Sequence, residues 1–126
     1  MKTPRILLAI ALLVLAPWAQ ALEVAPYTPA ALAEAQAAGK PVALHFHADW
    51  CPTCRAQQKV LDGLKQDKSL DLTVLTVDYD KEKELKQTLG VRSQSTLIVY
   101  RGKEEKARSA GETTSGQIKT TLQSAL

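Results

Sequence analysis

Pro41-Val42-Ala43-Leu44-His45-Phe46-His47-Ala48-Asp49-Trp50-Cys51-Pro52-Thr53-Cys54 changes its period partway along, and that change decides the fold. From Pro41 to His47 the run is short, mostly apolar and β-prone, and it follows Gly39-Lys40, the pattern of a buried central strand. From Cys51 to Lys68 the apolar residues Val60, Leu61 and Leu64 fall at helical spacing. Pro52 stands in the first turn, where a missing N–H costs nothing. The spacing therefore predicts a strand feeding a helix, with Cys51 at or just before the helix N-terminus. Unpaired backbone N–H groups and the positive end of the helix dipole favour a thiolate there, lowering the Cys51 pKa below its free value near ~8.5. Cys54, one turn in, is predicted to face inward. An exposed nucleophile and a sheltered resolving thiol are the two parts that thiol exchange requires.

These are the only two cysteines in the 126 residues. A bridge across two intervening residues closes a very short ring and removes little entropy from the unfolded chain, so a purely structural staple is a poor explanation of the spacing. Redox chemistry explains it better, with metal binding as the other use of such a pair.

The flanking sequence alternates in the same manner. Thr28-Pro29 opens an Ala-rich helix running through Ala38, with a hydroxyl cap and proline at the first helical position, and Gly39 ends it. Leu72 to Val77 reads as a second buried strand, and Asp80 is expected to cap a charged helix from Lys81 to Leu89 that stops at Gly90. Thr96 to Tyr100 forms a third strand and Gly102-Lys103 a turn. Glu105 to Ser109 forms a fourth strand, pairing back on the third. A last helix runs from about Thr114 to Ala125, with Ile118 and Leu122 inward. The order is that of an α/β sandwich around a mixed sheet.

Residues 1–21 read as a signal peptide. Lys2 and Arg5 make a positive start, Ile6 to Ala16 form an uncharged apolar run, and Ala19-Gln20-Ala21 has the small-x-small form of a cleavage site. The run is about half of the ~20 residues a membrane-spanning helix needs. The expected product is an exported, soluble, monomeric domain over 22–126, periplasmic if the source is a Gram-negative bacterium. Without residues 1–21 the chain holds 14 basic and 13 acidic residues, a formal charge of +1 in place of +3. The Lys/Glu mixtures at 81–86 and 103–108 are solvated faces, and no nucleic-acid footprint is implied.

With these residues in place, the chain resembles the thioredoxin family. The resemblance rests on Ala48-Asp49-Trp50-Cys51-Pro52-Thr53-Cys54 after a strand and on Leu72-Thr73-Val74 opening the next. It continues through Val77-Asp78-Tyr79-Asp80, Gly90-Val91-Arg92 leading into Thr96-Leu97-Ile98-Val99-Tyr100, and Gly111. It implies a thioredoxin-like three-layer α/β/α sandwich with a central mixed sheet of about four strands. It also implies a thiol-disulfide oxidoreductase acting on disulfide-containing or dithiol protein substrates, with no organic cofactor. A reducing cycle in an oxidising compartment would draw on a membrane thiol electron donor. The resemblance makes Cys51 the nucleophile and Cys54 the resolving thiol, and puts Trp50, Pro52, Thr53, Gln94, Ser95 and Thr96 at the substrate face. Trp50 is expected to lie over the pair as an apolar lid.

Two departures from the family pattern stand beside the pair. Gln94-Ser95-Thr96 occupies the place where the family carries hydrophobic-Pro-Thr with a cis-proline. A cis bond before a non-proline residue costs ~2.5 to 4 kcal/mol, against ~0.5 to 1 before proline, so a trans Gln94-Ser95 bond is predicted. Ser95 also brings an N–H and a hydroxyl to the vicinity of the sulfurs. His45 stands where the family has a buried carboxylate behind the resolving cysteine, so it is a candidate general base for Cys54 or a hydrogen-bonded core residue. His47 shares its strand face and is expected to serve packing or surface contact. Two further readings follow from the same residues: a Zn or Cu site built from Cys51, Cys54, His45 and His47, and a non-catalytic binding module.

Overall fold

The computed structural model describes residues 21–126; the signal-peptide reading of 1–21 lies, but for Ala21, outside the described residues. Strand β1 (Glu23–Pro26) is followed by α1 (Pro29–Ala37), β2 (Pro41–His47), α2 (Pro52–Leu64) and β3 (Thr73–Asp78). The second half holds α3 (Lys83–Leu89), β4 (Thr96–Arg101), β5 (Glu104–Ala110) and α4 (Ser115–Gln123). The sheet order is β1-β3-β2-β4-β5. Strand β3 runs parallel to both β1 and β2, while β4 is antiparallel to β2 and β5. This is the thioredoxin fold, a mixed five-stranded sheet between helices.

The expected count of about four strands is thereby corrected to five. The addition is β1, whose four residues Glu-Val-Ala-Pro pair only with β3 at the sheet edge. An edge strand tolerates Pro26 because one side of its backbone has no ladder partner. A run so short, and ending in proline, carries no period of its own.

Alternation along β2 divides the core. Val42, Leu44 and Phe46 pack with Leu75, Val77, Ile98 and the α1 residues Ala31, Leu32 and Ala35. Ala43, on the other face, packs with Leu61, Leu64, Val74, Val99, Ile118 and Leu122. His45 shares the parity of Ala43 and so faces α2. Thr28 caps α1, its hydroxyl accepting from the Ala31 N–H at 3.0 Å.

One predicted cap is corrected. Helix α3 begins at Lys83 with Glu82 at the N-cap and no side-chain cap bond. Asp78, rather than Asp80, organises the preceding turn, its Oδ1 accepting from the N–H groups of Asp80 and Lys81 at 3.0 and 3.1 Å. Asp80 is engaged elsewhere: its carboxylate accepts the Trp50 indole N–H at 2.8 Å.

Candidate active site

Cys51 is the N-cap of α2, in extended backbone, with Pro52 starting the helix. Its sulfur takes the cap's usual role, accepting the Cys54 N–H at 3.1 Å. Capping by sulfur turns the side chain toward the helix end, and this overturns one expectation: Cys51 is 2% exposed, scarcely more than Cys54 at 0%. The two sulfurs pack with Ala48 and the half-buried Tyr79 ring, and both are free thiols.

The Ser95 hydroxyl lies between them, 3.3 Å from Cys51 Sγ and 3.1 Å from Cys54 Sγ. The Gln94-Ser95 bond is trans, since the described residues contain no cis peptide. Ser95 nevertheless takes an unusual backbone, φ 66°, the only positive φ outside glycine among the described residues. A residue with a side chain pays on the order of 1–3 kcal/mol for such a conformation, so its surroundings must hold it there. The Ser95 N–H donates to the Phe46 carbonyl at 2.9 Å, away from the sulfurs. Its carbonyl accepts from the Gly111 N–H at 3.1 Å and from Gln57 Nε2 at 3.0 Å.

Gln57 is the residue that the sequence reading passed over. It is 3% exposed, and besides Ser95 its Nε2 donates to the Glu112 carbonyl at 2.9 Å. Carbonyls only accept, so the amide nitrogen must face those two and Oε1 must face His45 Nε2, 2.9 Å away. His45 is therefore the donor in that bond, which fixes the Nε2–H tautomer. Its Nδ1 is buried without a partner. Burial lowers the His45 pKa from the usual 6.5 to about 4, against the opposing pull of the Gln57 bond and with a smaller contribution from His47. The imidazole is thus neutral at neutral pH, and its hydrogen bond goes to Gln57. A signal for Gln57 did exist: Cys54, Gln57, Leu61 and Leu64 follow the spacing of one buried helix face.

The two thiols are electrostatically unequal. Burial pushes Cys51 up, but hydrogen bonds from Cys54, from Ser95 and from the Cys54 and Thr53 N–H groups outweigh it, and the net shift is downward. Cys54 is raised by burial and by donating its proton toward Cys51, with Ser95 partly opposing. The arrangement favours a Cys51 thiolate beside a protonated Cys54.

The other predicted residues fall around this centre. Trp50 is 58% exposed and tethered to Asp80, presenting an apolar face at the surface. Pro52 is exposed, and Thr53 and Gln94 are half-buried. Thr96 is buried, its hydroxyl donating to the Ser93 carbonyl at 2.8 Å. The ring centroids of His45 and His47 are 5.5 Å apart, but His47 Nε2 turns to the exposed Asp49 carboxylate at 2.9 Å. The four groups of the metal reading do not converge, and among the described residues no three His, Cys, Asp or Glu side chains are disposed to hold an ion.

Comparison with known proteins agrees with this geometry. Residues 23–124 match the family model described as thioredoxin. The M-type chloroplastic thioredoxin of Zea mays is 30% identical over 82 residues, 65% of this chain and 49% of that protein. Thioredoxin of Rickettsia bellii is 28% identical over 71 residues, 56% of this chain and 68% of its own. The chain thus spans about half the length of the maize relative and about two thirds of the bacterial one. Among solved structures, that of Trxlp from Edwardsiella tarda is 42% identical, with a TM-score of 0.74, over 79% of this chain and 98% of that one.

Proposed function

Because this chain belongs to the thioredoxin family, we propose that it is a thiol-disulfide oxidoreductase working on protein substrates through Cys51 and Cys54. The single observation that carries the reading is the inequality of the pair: the Cys51 sulfur accepts the Cys54 N–H and lies 3.3 Å from the Ser95 hydroxyl, contacts that lower its pKa, while burial raises that of Cys54. A thiolate attacks and a thiol waits, which is the order exchange requires.

In the cycle, Cys51 Sγ attacks one sulfur of a substrate disulfide and the other substrate sulfur leaves as a thiolate. Cys54 then loses its proton and attacks Cys51 Sγ, forming the Cys51-Cys54 bond and releasing the second substrate sulfur. Two electrons pass from the dithiol to the substrate, and the reverse sequence oxidises a substrate dithiol. Trp50, Pro52, Thr53 and Gln94 form the surface on which the substrate segment rests, Trp50 being the exposed apolar contact, whereas Thr96, expected there from the resemblance, is buried beneath it with its hydroxyl held by the Ser93 carbonyl. Because Cys51 is covered, that segment must displace neighbouring side chains to reach the sulfur. The composition of residues 1–21 supports action outside the cytoplasm, where a membrane thiol donor would return electrons to the pair.

Equilibrating the protein with glutathione buffers and counting trapped thiols by mass spectrometry tests the reading. The expected result is a single two-electron transition assigned to Cys51-Cys54, with reduction of a protein disulfide by the dithiol form. A pair inert to glutathione at every ratio would overturn it.

A further inference from the structure

Ser95 has a geometry that the exchange cycle leaves unused. Its Oγ is within hydrogen-bond distance of both sulfurs, 3.3 and 3.1 Å, so rotation about the Cβ–Oγ bond alone carries the hydroxyl proton from one to the other. Its backbone is fastened by three hydrogen bonds, from N–H to Phe46 and to its carbonyl from Gly111 and Gln57. Only the last is made by a side chain. That side chain spends its full donor capacity on the carbonyls of Ser95 and Glu112, and its acceptor on His45. A buried amide in an otherwise apolar helix face is costly unless fully paired, and here the bonds to Glu112 and His45 fix the amide that holds the Ser95 carbonyl.

We propose that Ser95 is a catalytic residue whose hydroxyl donates to whichever cysteine sulfur is negative, and that Gln57 is the positioning residue that aims it. This rests on the oxidoreductase reading above. In the reduced protein, Ser95 O–H points at the Cys51 thiolate, toward which Cys54 also donates its S–H. Attack on the substrate disulfide converts Cys51 Sγ to a neutral mixed disulfide and releases one substrate thiolate. The hydroxyl then has no anion in front of it. As Cys54 gives its proton to water or to the departed thiolate, Ser95 O–H turns onto Cys54 Sγ and stabilises the attacking thiolate. Closure of the Cys51-Cys54 bond expels the second substrate thiolate, and the disulfide's two electrons are accounted for. The same hydroxyl thus serves both anionic stages by rotation about its own Cβ–Oγ bond.

The titratable groups around the pair are His45 from β2, Tyr79 after β3 and the exposed Asp49 before α2. His45 stays neutral above about pH 4, so over the range in which the thiols titrate its charge does not change.

The test is an absorbance titration of the Cys51 thiolate in the reduced full chain, joined to the rate at which Cys54 resolves a preformed mixed disulfide of Cys51 with a chromogenic aromatic thiol. Ser95→Ala should raise the Cys51 midpoint by about one pH unit, as loss of a hydrogen bond to a charged group does, and slow resolution roughly tenfold. Ser95→Gly, which adopts φ 66° freely and lacks the hydroxyl, should behave alike. Gln57→Leu, or Gln57→Met if the first does not fold, should shift both in the same direction by less. In Ser95→Ala, adding Gln57→Leu should move the midpoint no further, because the amide acts through the hydroxyl. Unchanged titrations and resolution in both Ser95→Ala and Ser95→Gly would overturn the proposal, as would full additivity of Gln57→Leu. The titration needs no turnover, so a parent protein that reduces no disulfide would sink the oxidoreductase reading alone.

Discussion

The buried face of α2 changes chemistry along its length. Its first half presents Cys54 and Gln57 to Ser95 and His45, and its second half presents Leu61 and Leu64 to Ile118, Leu122 and Leu70. Both halves are equally dry. In the apolar half, burial removes hydrocarbon from water and packing sets the energy. In the polar half, nearly every buried donor and acceptor is matched, and the exception is His45 Nδ1. One helix face therefore holds the domain together at one end and tunes two sulfurs at the other.

The largest expected separation of the halves comes from Cys51→Ser. It should abolish disulfide exchange while leaving the unfolding midpoint near that of the reduced parent, because a serine oxygen can still accept the Cys54 N–H. Cys54→Ser should instead accumulate a mixed disulfide on Cys51, seen as a mass adduct released by reductant. Retained turnover in Cys51→Ser would mean that the sulfur chemistry lies elsewhere.

Leu61→Ala addresses the other half. Leu61 is 1% exposed in the α2–α4 core, and truncation of such a side chain costs about 2–5 kcal/mol. Urea unfolding should show that loss, while the Cys51 thiolate titration stays in place. A moved titration would mean that the two halves are mechanically coupled, and the contrast between them would fail.

His45 makes the polar half sensitive to pH. Its folded pKa of about 4 lies below the ordinary 6.5, so between those values the unfolded chain binds the proton that the folded chain refuses. The His45 contribution to stability therefore falls as pH drops from about 6.5 to 4, by at most roughly 3 kcal/mol. Unfolding midpoints measured across that window should show the slope, and His45→Asn should flatten it. An unchanged slope in the variant would assign it to other groups.

Much of this architecture was readable because period is a local property. The strand at Pro41–His47 and the helix after Cys51 announce themselves through seven and thirteen residues of pattern, and the C-x-x-C places the chemistry at their junction. Strand β1 was not readable, because its four residues gain strand character from pairing with β3 rather than from their own sequence. Asp80 looked like a helix cap since only tertiary structure brings Trp50 to it. The exposure of Cys51 was misjudged for a related reason: a helix-start position says that N–H groups are near, but not that the sulfur will turn inward to meet them. Gln57 needed the question of what a glutamine does on an apolar face, and its answer lies in two loops far away in sequence.

The smallest effect tests the sulfur's second role, as helix cap. Cys51 Sγ accepts the Cys54 N–H at 3.1 Å, a donor that would otherwise be unsatisfied at the start of α2. Cys51→Ala and Cys51→Ser should be equally dead in exchange, yet Cys51→Ala should be the less stable by about 1 kcal/mol, the usual worth of an N-cap side chain. Comparing the two alanine and serine variants cancels the loss of the thiolate, leaving the cap alone. Equal urea midpoints would show that the Cys54 N–H draws no net stability from the sulfur, and the polar half of α2 would then be tuned for chemistry without also anchoring the helix. The expected difference says instead that the same hydrogen bond which lowers the Cys51 pKa also starts the helix, so that protonating the nucleophile weakens the cap and each supports the other.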